Sequence, residues 1–139
     1  MTRLFDLIHD KSPLTLPPAV SVKRACEEMR SHRRSAVMVT HPDGYLIGIF
    51  TGRDAIWRVL AAGKNAGKVT LGEVMTNSPA TISPYTTAIE ALRLMTIGGF
   101  RHLPVIEKDN IVGIVMRRDF RSEDLSRLEE EDEFWQHLR

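Results

Sequence analysis

The chain repeats itself once, and that limits its possible folds more tightly than any other feature of its 139 residues. Displaced by 66 positions, Pro13 falls on Pro79, Thr15 on Thr81, Pro18 on Pro84, Ala25 on Ala91, Met29 on Met95 and Val39 on Val105. Beyond one gap the displacement is 65, and Gly48, Ile49, Arg53 and Asp54 meet Gly113, Ile114, Arg118 and Asp119. Upstream, a displacement of 67 matches LFDLI to LGEVM. The gaps fall where turns are expected. Two copies of one supersecondary unit account for this pattern, and the length suits one domain built from two halves.

Each copy has a readable period. Val22, Ala25, Cys26 and Met29 follow helical spacing in the first, and Ala88, Ala91, Leu92 and Met95 follow it in the second. Thr87 with Glu90 three residues on fits a capping box at the start of the second helix. Paired strands follow: SAVMVT and YLIGIFT around HPDG, then HLPVI and NIVGIVM around EKDN. These strands are apolar nearly throughout, which predicts a sheet covered by helices. A last helix is expected after each pair, RDAIWRVLAAG in copy one, stopped at Gly63. AAGKNAGK between the copies is a short Gly-rich link.

The order helix, strand, strand, helix, together with PATISPYTTAIEALRLM, GGFRHLPVI and IVGIVMRRDF, resembles the cystathionine β-synthase (CBS) domain. Copy one, LTLPPAVSVKRACEEM and RRSAVMVTHPDGYLIGIFTGRD, shows the same pattern more loosely. The resemblance covers about nine tenths of the chain and divides it into a first repeat over 1–63, a second over 64–121 and an acidic helical tail over 122–139. It implies an α/β fold in which two tandem repeats pack about a pseudo-twofold axis. It also implies clefts between the repeats that take an adenosine-containing ligand such as AMP, ADP, ATP or S-adenosylmethionine. Two such modules frequently form a homodimer. The implied role is regulatory, acting on an unidentified partner protein, with no catalysis and no required cofactor.

Candidate site residues follow from the strand-to-helix junction. At Thr51 and Asp54 the unpaired backbone N–H groups of a helix start favour an anion. A carboxylate has acceptor oxygens to match the 2′ and 3′ hydroxyls of a ribose, and a threonine hydroxyl can donate to a phosphate. The resemblance gives those roles to Asp54 and Thr51, with Arg53 near in sequence to balance charge. On the residues alone, Thr-x-x-Asp is read first as a structural capping box, an order that the repeat and the resemblance reverse. In copy two Met116 replaces the threonine beside Asp119, while Arg117 and Arg118 add positive charge. The two clefts are thus expected to be unequal, with Asp54 marking the better one. By the resemblance, the Asp54 cleft also uses Asn77, Ser78, Phe100 and Arg101. The Asp119 cleft uses Lys11, Ser12, Arg34 and Ser35, with His102 from its own copy. Phe100 fits a core position as well.

The remaining features exclude more than they suggest. The net charge of +1 conceals a tail from Ser122 to Arg139 with seven acidic and two basic residues, so the body is basic and suits an anionic ligand. Cys26 is the single cysteine and lies on an apolar helix face, which leaves no disulfide framework. The five histidines lack metal-ligand spacing. RSHRR lies at a helix end without any nucleic-acid signature around it, so a nucleic-acid binder is the weaker alternative and a ligand-free interaction scaffold the stronger. No apolar run is long enough to span a bilayer and MTRLFDLIHD lacks the pattern of a secretory signal, so a cytoplasmic protein is expected. The tail places Leu125, Leu128, Trp135 and Leu138 near helical spacing, an edge expected to dock on its own module or a dimer mate.

Overall fold

The computed structural model describes residues 3–8 and 12–137. In chain order it holds a 3-10 turn at Leu4–Leu7, β1 (Thr15–Leu16), α1 (Val22–His32), β2 (Ala36–Thr40) and β3 (Leu46–Thr51). Helix α2 (Gly52–Asp54) continues as a π-wound segment over Ala55–Leu60. Then come α3 (Leu71–Val74), β4 (Thr76–Asn77), α4 (Ala88–Gly98), β5 (His102–Glu107), β6 (Asn110–Met116), a 3-10 turn at Arg117–Asp119 and α5 (Ser122–His137). The periodic segments are the helices and the apolar runs are the strands.

Local chemistry sets the boundaries. Ser21 accepts a hydrogen bond from the Arg24 N–H at the start of α1, and Thr87 accepts one from the Glu90 N–H at the start of α4. Both helices end in the left-handed region, at Arg33 with φ 53° and at Gly99 with φ 70°, the same position in the two copies. Gly63, with φ 71°, stops the first copy's last helix as its sequence predicts. The β5–β6 turn carries positive φ at Lys108 and Asp109, the geometry of a two-residue turn whose twist matches its strands.

The two copies repeat their pairing in detail. Parallel to the next strand, Leu16 lies opposite Val39, and Ile82 lies opposite Val105. The opening segments are exchanged. Arg3 bridges to Thr87 and Leu4 N–H donates to the Thr86 carbonyl; reciprocally, Thr70 bridges to Ser21 and Leu71 N–H donates to the Val20 carbonyl. Each copy thus opens with a short segment that folds onto the other copy's first helix. The division by self-similarity therefore differs from the division by packing. One compact unit draws on the N-terminal segment, Thr81–Glu107 and the chain from Val112, and the other on Ser12–Ala80 with the hairpin tip Lys108–Ile111.

The Ser12–Ala80 unit holds a sheet in the order β1-β2-β3-β4, with β2, β3 and β4 antiparallel in turn. Its core is Val22, Ala25, Met29, Val37, Val39, Phe50, Val59, Leu71 and Val74. The other unit is built on the β5–β6 pair, with Leu4, Leu92, Met95, Leu103, Val105 and Val115 at its centre. Leu125 and Leu128 of α5 pack into this same core, and Arg93 pairs with Glu131 across α4 and α5, so the acidic helix docks on its own unit. Leu138 and the side chain of Trp135, which the sequence places on the same edge, lie outside the described residues.

One core position is anomalous. Val59 is buried in the first copy; 65 positions on stands Asp124, also buried at 4% exposure, with its Oδ2 lacking any hydrogen-bond partner among the described residues. A buried carboxylate oxygen without a partner costs stability.

Candidate functional site

The junction of β3 and α2 is built from a short stretch of chain. Thr51 ends β3 opposite Ala36 and, still extended at φ −120°, becomes the N-cap of the helix. Its hydroxyl accepts from the Asp54 N–H at 3.3 Å and donates to Asp54 Oδ2 at 3.1 Å, while the same Oδ2 accepts the Thr51 N–H at 2.9 Å. This is the reciprocal capping box that Thr-x-x-Asp permits. It commits the one proton of the Thr51 hydroxyl inside the cap. A phosphate can take that proton only by displacing the carboxylate.

Asp54 retains its other oxygen. Oδ1 lies 3.5 Å from Nε of Arg58, one helical turn on, and the Asp54 side chain is largely shielded from solvent. Arg58 also reaches across to donate to the Val74 and Met75 carbonyls, each at 3.4 Å. Arg53, the cation adjacent in sequence, instead lies over the Trp57 ring at 4.7 Å. Sequence reasoning missed Arg58. Its signal was the i, i+4 spacing from Asp54, which places opposite charges on one helix face.

The segment that Arg58 touches bears two further candidates. Asn77 pairs with Gly48 and Thr76 with Ile49, so β4 runs beside the middle of β3. Ser78 follows at φ 45° and its N–H donates to the Ile47 carbonyl at 3.2 Å. Both side chains are exposed. Ser35 lies at the same junction, its carbonyl accepting the Gly52 N–H at 3.2 Å. Arg34 follows the α1 cap, exposed, with its guanidinium on the His32 carbonyl at 2.9 Å. The Ser12–Ala80 unit thus brings Ser35, Thr51 and Asp54 to one junction, with Arg53 and Arg34 exposed, whereas β4 runs away from it and leaves Ser78 beside Ile47, four residues along β3 from Thr51.

The second junction belongs to the other unit. Asp119 Oδ2 accepts the Met116 N–H at 2.7 Å, so the carboxylate half of the cap is repeated. A thioether, a weak acceptor, stands in place of the hydroxyl. Arg117 donates its N–H to the Arg101 carbonyl at 3.0 Å and its guanidinium to Thr96 at 3.1 Å. Arg101 and Arg118 are exposed and His102 is half-buried at the start of β5. Phe100 packs on the core of this unit, its ring over Gly98, where a side chain would collide with it. Lys11 lies outside the described residues. No winding like α2's follows Asp119: Phe120 is extended, with ψ 141°, and breaks the helix before α5.

Among the described residues no cluster of histidine, cysteine and carboxylates is placed to hold a metal ion, and no helix is long and apolar enough to cross a membrane. Burial raises the Cys26 thiol above its ordinary pKa, which lowers its thiolate fraction.

The family model described as CBS domain matches residues 5–61 and again 71–126. The chain belongs to the CBS domain family. It is 35% identical over 102 residues to the CBS domain-containing protein CBSCBSPB1 of Arabidopsis thaliana, covering 73% of this chain and 19% of that protein. The chain thus spans about a fifth of the length of the curated relatives it matches first. Among solved structures, the CBS-domain containing protein ATU1752 from Agrobacterium tumefaciens superposes with a TM-score of 0.79 at 32% identity, over 85% of this chain and 95% of that one. A hexameric CBS-CP12 protein from bloom-forming cyanobacteria shares the fold, with a TM-score of 0.82 at 23% identity, over 96% of this chain and 80% of that one. The fold is therefore that of tandem CBS repeats, and CBS pairs are regulatory modules that commonly bind adenosine ligands.

Proposed function

We propose that this CBS pair is a cytoplasmic regulatory module that binds an adenosine-containing nucleotide, AMP, ADP, ATP or S-adenosylmethionine, with Asp54 as the ribose acceptor. The observation that carries this reading is the split use of the Asp54 carboxylate. Oδ2 builds the turn, and Oδ1 is held beside a guanidinium at 3.5 Å, longer than a good charge-assisted hydrogen bond. A ribose hydroxyl donating to Oδ1 makes a shorter contact than the one it replaces. Ligand signals by differential binding: it favours the arrangement of repeats that completes its contacts, and that shift is read by a partner protein. No catalytic step is assigned to the chain.

The two junctions differ in charge and donors, so the ligand favours the Asp54 side. Calorimetry with AMP on Asp54→Asn and Asp119→Asn tests this. Asparagine keeps a cap acceptor while losing the carboxylate. AMP affinity is expected to fall about tenfold in Asp54→Asn and less in Asp119→Asn, in line with one charge-assisted hydrogen bond. Equal losses, or a loss confined to Asp119→Asn, would contradict it.

A further inference from the structure

We propose that Arg58 is a phosphate-responsive clasp, which in the absence of ligand caps helix α3 and on nucleotide binding leaves it for the ligand's phosphate. The proposal rests on the ribose reading of Asp54 and adds the route by which occupancy changes the protein.

Three observations carry it. First, Arg58 holds two things at once: its guanidinium sits beside Asp54 Oδ1 and on the carbonyls of Val74 and Met75, at the end of α3. A cation there satisfies orphan carbonyls and complements the helix dipole. Second, all three contacts are long, 3.4 to 3.5 Å, and half of the Arg58 side chain is exposed. A phosphate offers the fork shorter, charge-assisted bonds, so the exchange is downhill once a nucleotide's sugar brings its phosphate beside Asp54. Third, Arg58 lies in the π-wound segment, where the Ala61 N–H donates to the Ile56 carbonyl at 2.7 Å. Such turns are rare in helices and recur at functional sites. Neither feature has a counterpart in copy two. There Glu123 stands 65 positions on from Arg58, so the matching place carries no cation.

The consequence lies in what α3 does. It is the exchanged opening segment of the second copy, bonded through Leu71 N–H to Val20 and buried through Leu71 and Val74 in the core of the first. Drawing Arg58 away uncaps α3 and loosens that fastening. A phosphate-bearing ligand releases it, whereas adenosine, with ribose but no phosphate, takes Asp54 Oδ1 and leaves Arg58 on the Val74 and Met75 carbonyls, so α3 stays capped.

The test uses the full chain with AMP and adenosine, by calorimetry and by hydrogen exchange at the Met75 amide, which bonds to the Leu71 carbonyl at 2.8 Å. In the native protein, AMP is expected to speed exchange at Met75 severalfold and adenosine to leave it unchanged. Arg58→Gln is expected to exchange rapidly without ligand, to show no further response to AMP, and to bind AMP about tenfold more weakly with adenosine affinity preserved. Arg58→Lys, which keeps the charge without the fork, should fall between the two and carries the test if Arg58→Gln does not fold. If native protein binds AMP through Asp54 but Arg58→Gln matches it in exchange and in AMP affinity, the clasp is wrong and the ribose reading stands. If neither compound binds the native protein, both fall.

Discussion

At the residue scale, the repeated aspartate does its structural work whatever else it does. Asp54 and Asp119 both accept the backbone N–H three residues before them, so removing either carboxylate costs the turn about 1 kcal/mol before any ligand is considered. Asparagine is therefore the informative substitution at both positions. Asp124 gives a cleaner prediction. It occupies the place of Val59, is buried, and leaves Oδ2 unsatisfied among the described residues. Asp124→Val should stabilise the protein by about 1–2 kcal/mol, the desolvation cost of a buried polar group less a fraction for the helix dipole it complements. Urea unfolding measures it, and a loss of stability would show that the carboxylate is satisfied in solution. The capping role of Asp54 was legible in Thr-x-x-Asp because all its partners lie within four residues. Arg58 was only half legible, since Val74 and Met75 lie 16 and 17 residues away and meet it only after folding.

At the element scale, α1, α4 and the apolar strands were legible because each buries one face, and burial imposes a period on the sequence. The exchange of opening segments was not. Arg3 meets Thr87, and Thr70 meets Ser21, through backbone groups that every residue carries, so no side-chain pattern announces them. The π winding of Ala55–Leu60 and the break at Phe120 were likewise hidden, although the two copies read alike up to Asp54 and Asp119. Gly48 shows how closely α3 and β4 sit on the sheet. A Cβ there would run into the Met75 side chain and lie 3.0 Å from the Thr76 carbonyl. Gly48→Ala is expected to destabilise by about 1–3 kcal/mol, as overpacking does, and to shift the Asn77 and Ser78 amide resonances. Unchanged stability and resonances would mean that β4 approaches β3 less closely than described.

At the scale of the whole molecule, both compact units hold a core closed by an exchanged segment, and both leave some apolar side chains exposed. Ile56, Trp57 and Leu60, along the helix that follows Asp54, are exposed, Leu60 at 76%. We propose that a second copy of the chain covers these side chains. A helix carrying both the clasp and the contact with a mate would let nucleotide occupancy alter assembly. Sedimentation of Leu60→Lys should give a smaller species than the native chain; an unchanged distribution would place the contact elsewhere.

The central claim is that an adenosine compound binds, and thermal unfolding against AMP, ADP, ATP, S-adenosylmethionine and a guanine nucleotide tests it most directly. At a hundred times its dissociation constant, a ligand of the folded state contributes about 2.7 kcal/mol. A raised midpoint with one or more adenosine compounds, absent with the guanine nucleotide and reduced by about half in Asp54→Asn, is the predicted result. An unmoved midpoint across the whole panel would contradict it and leave the Thr51–Asp54 turn as a helix cap in a ligand-free scaffold.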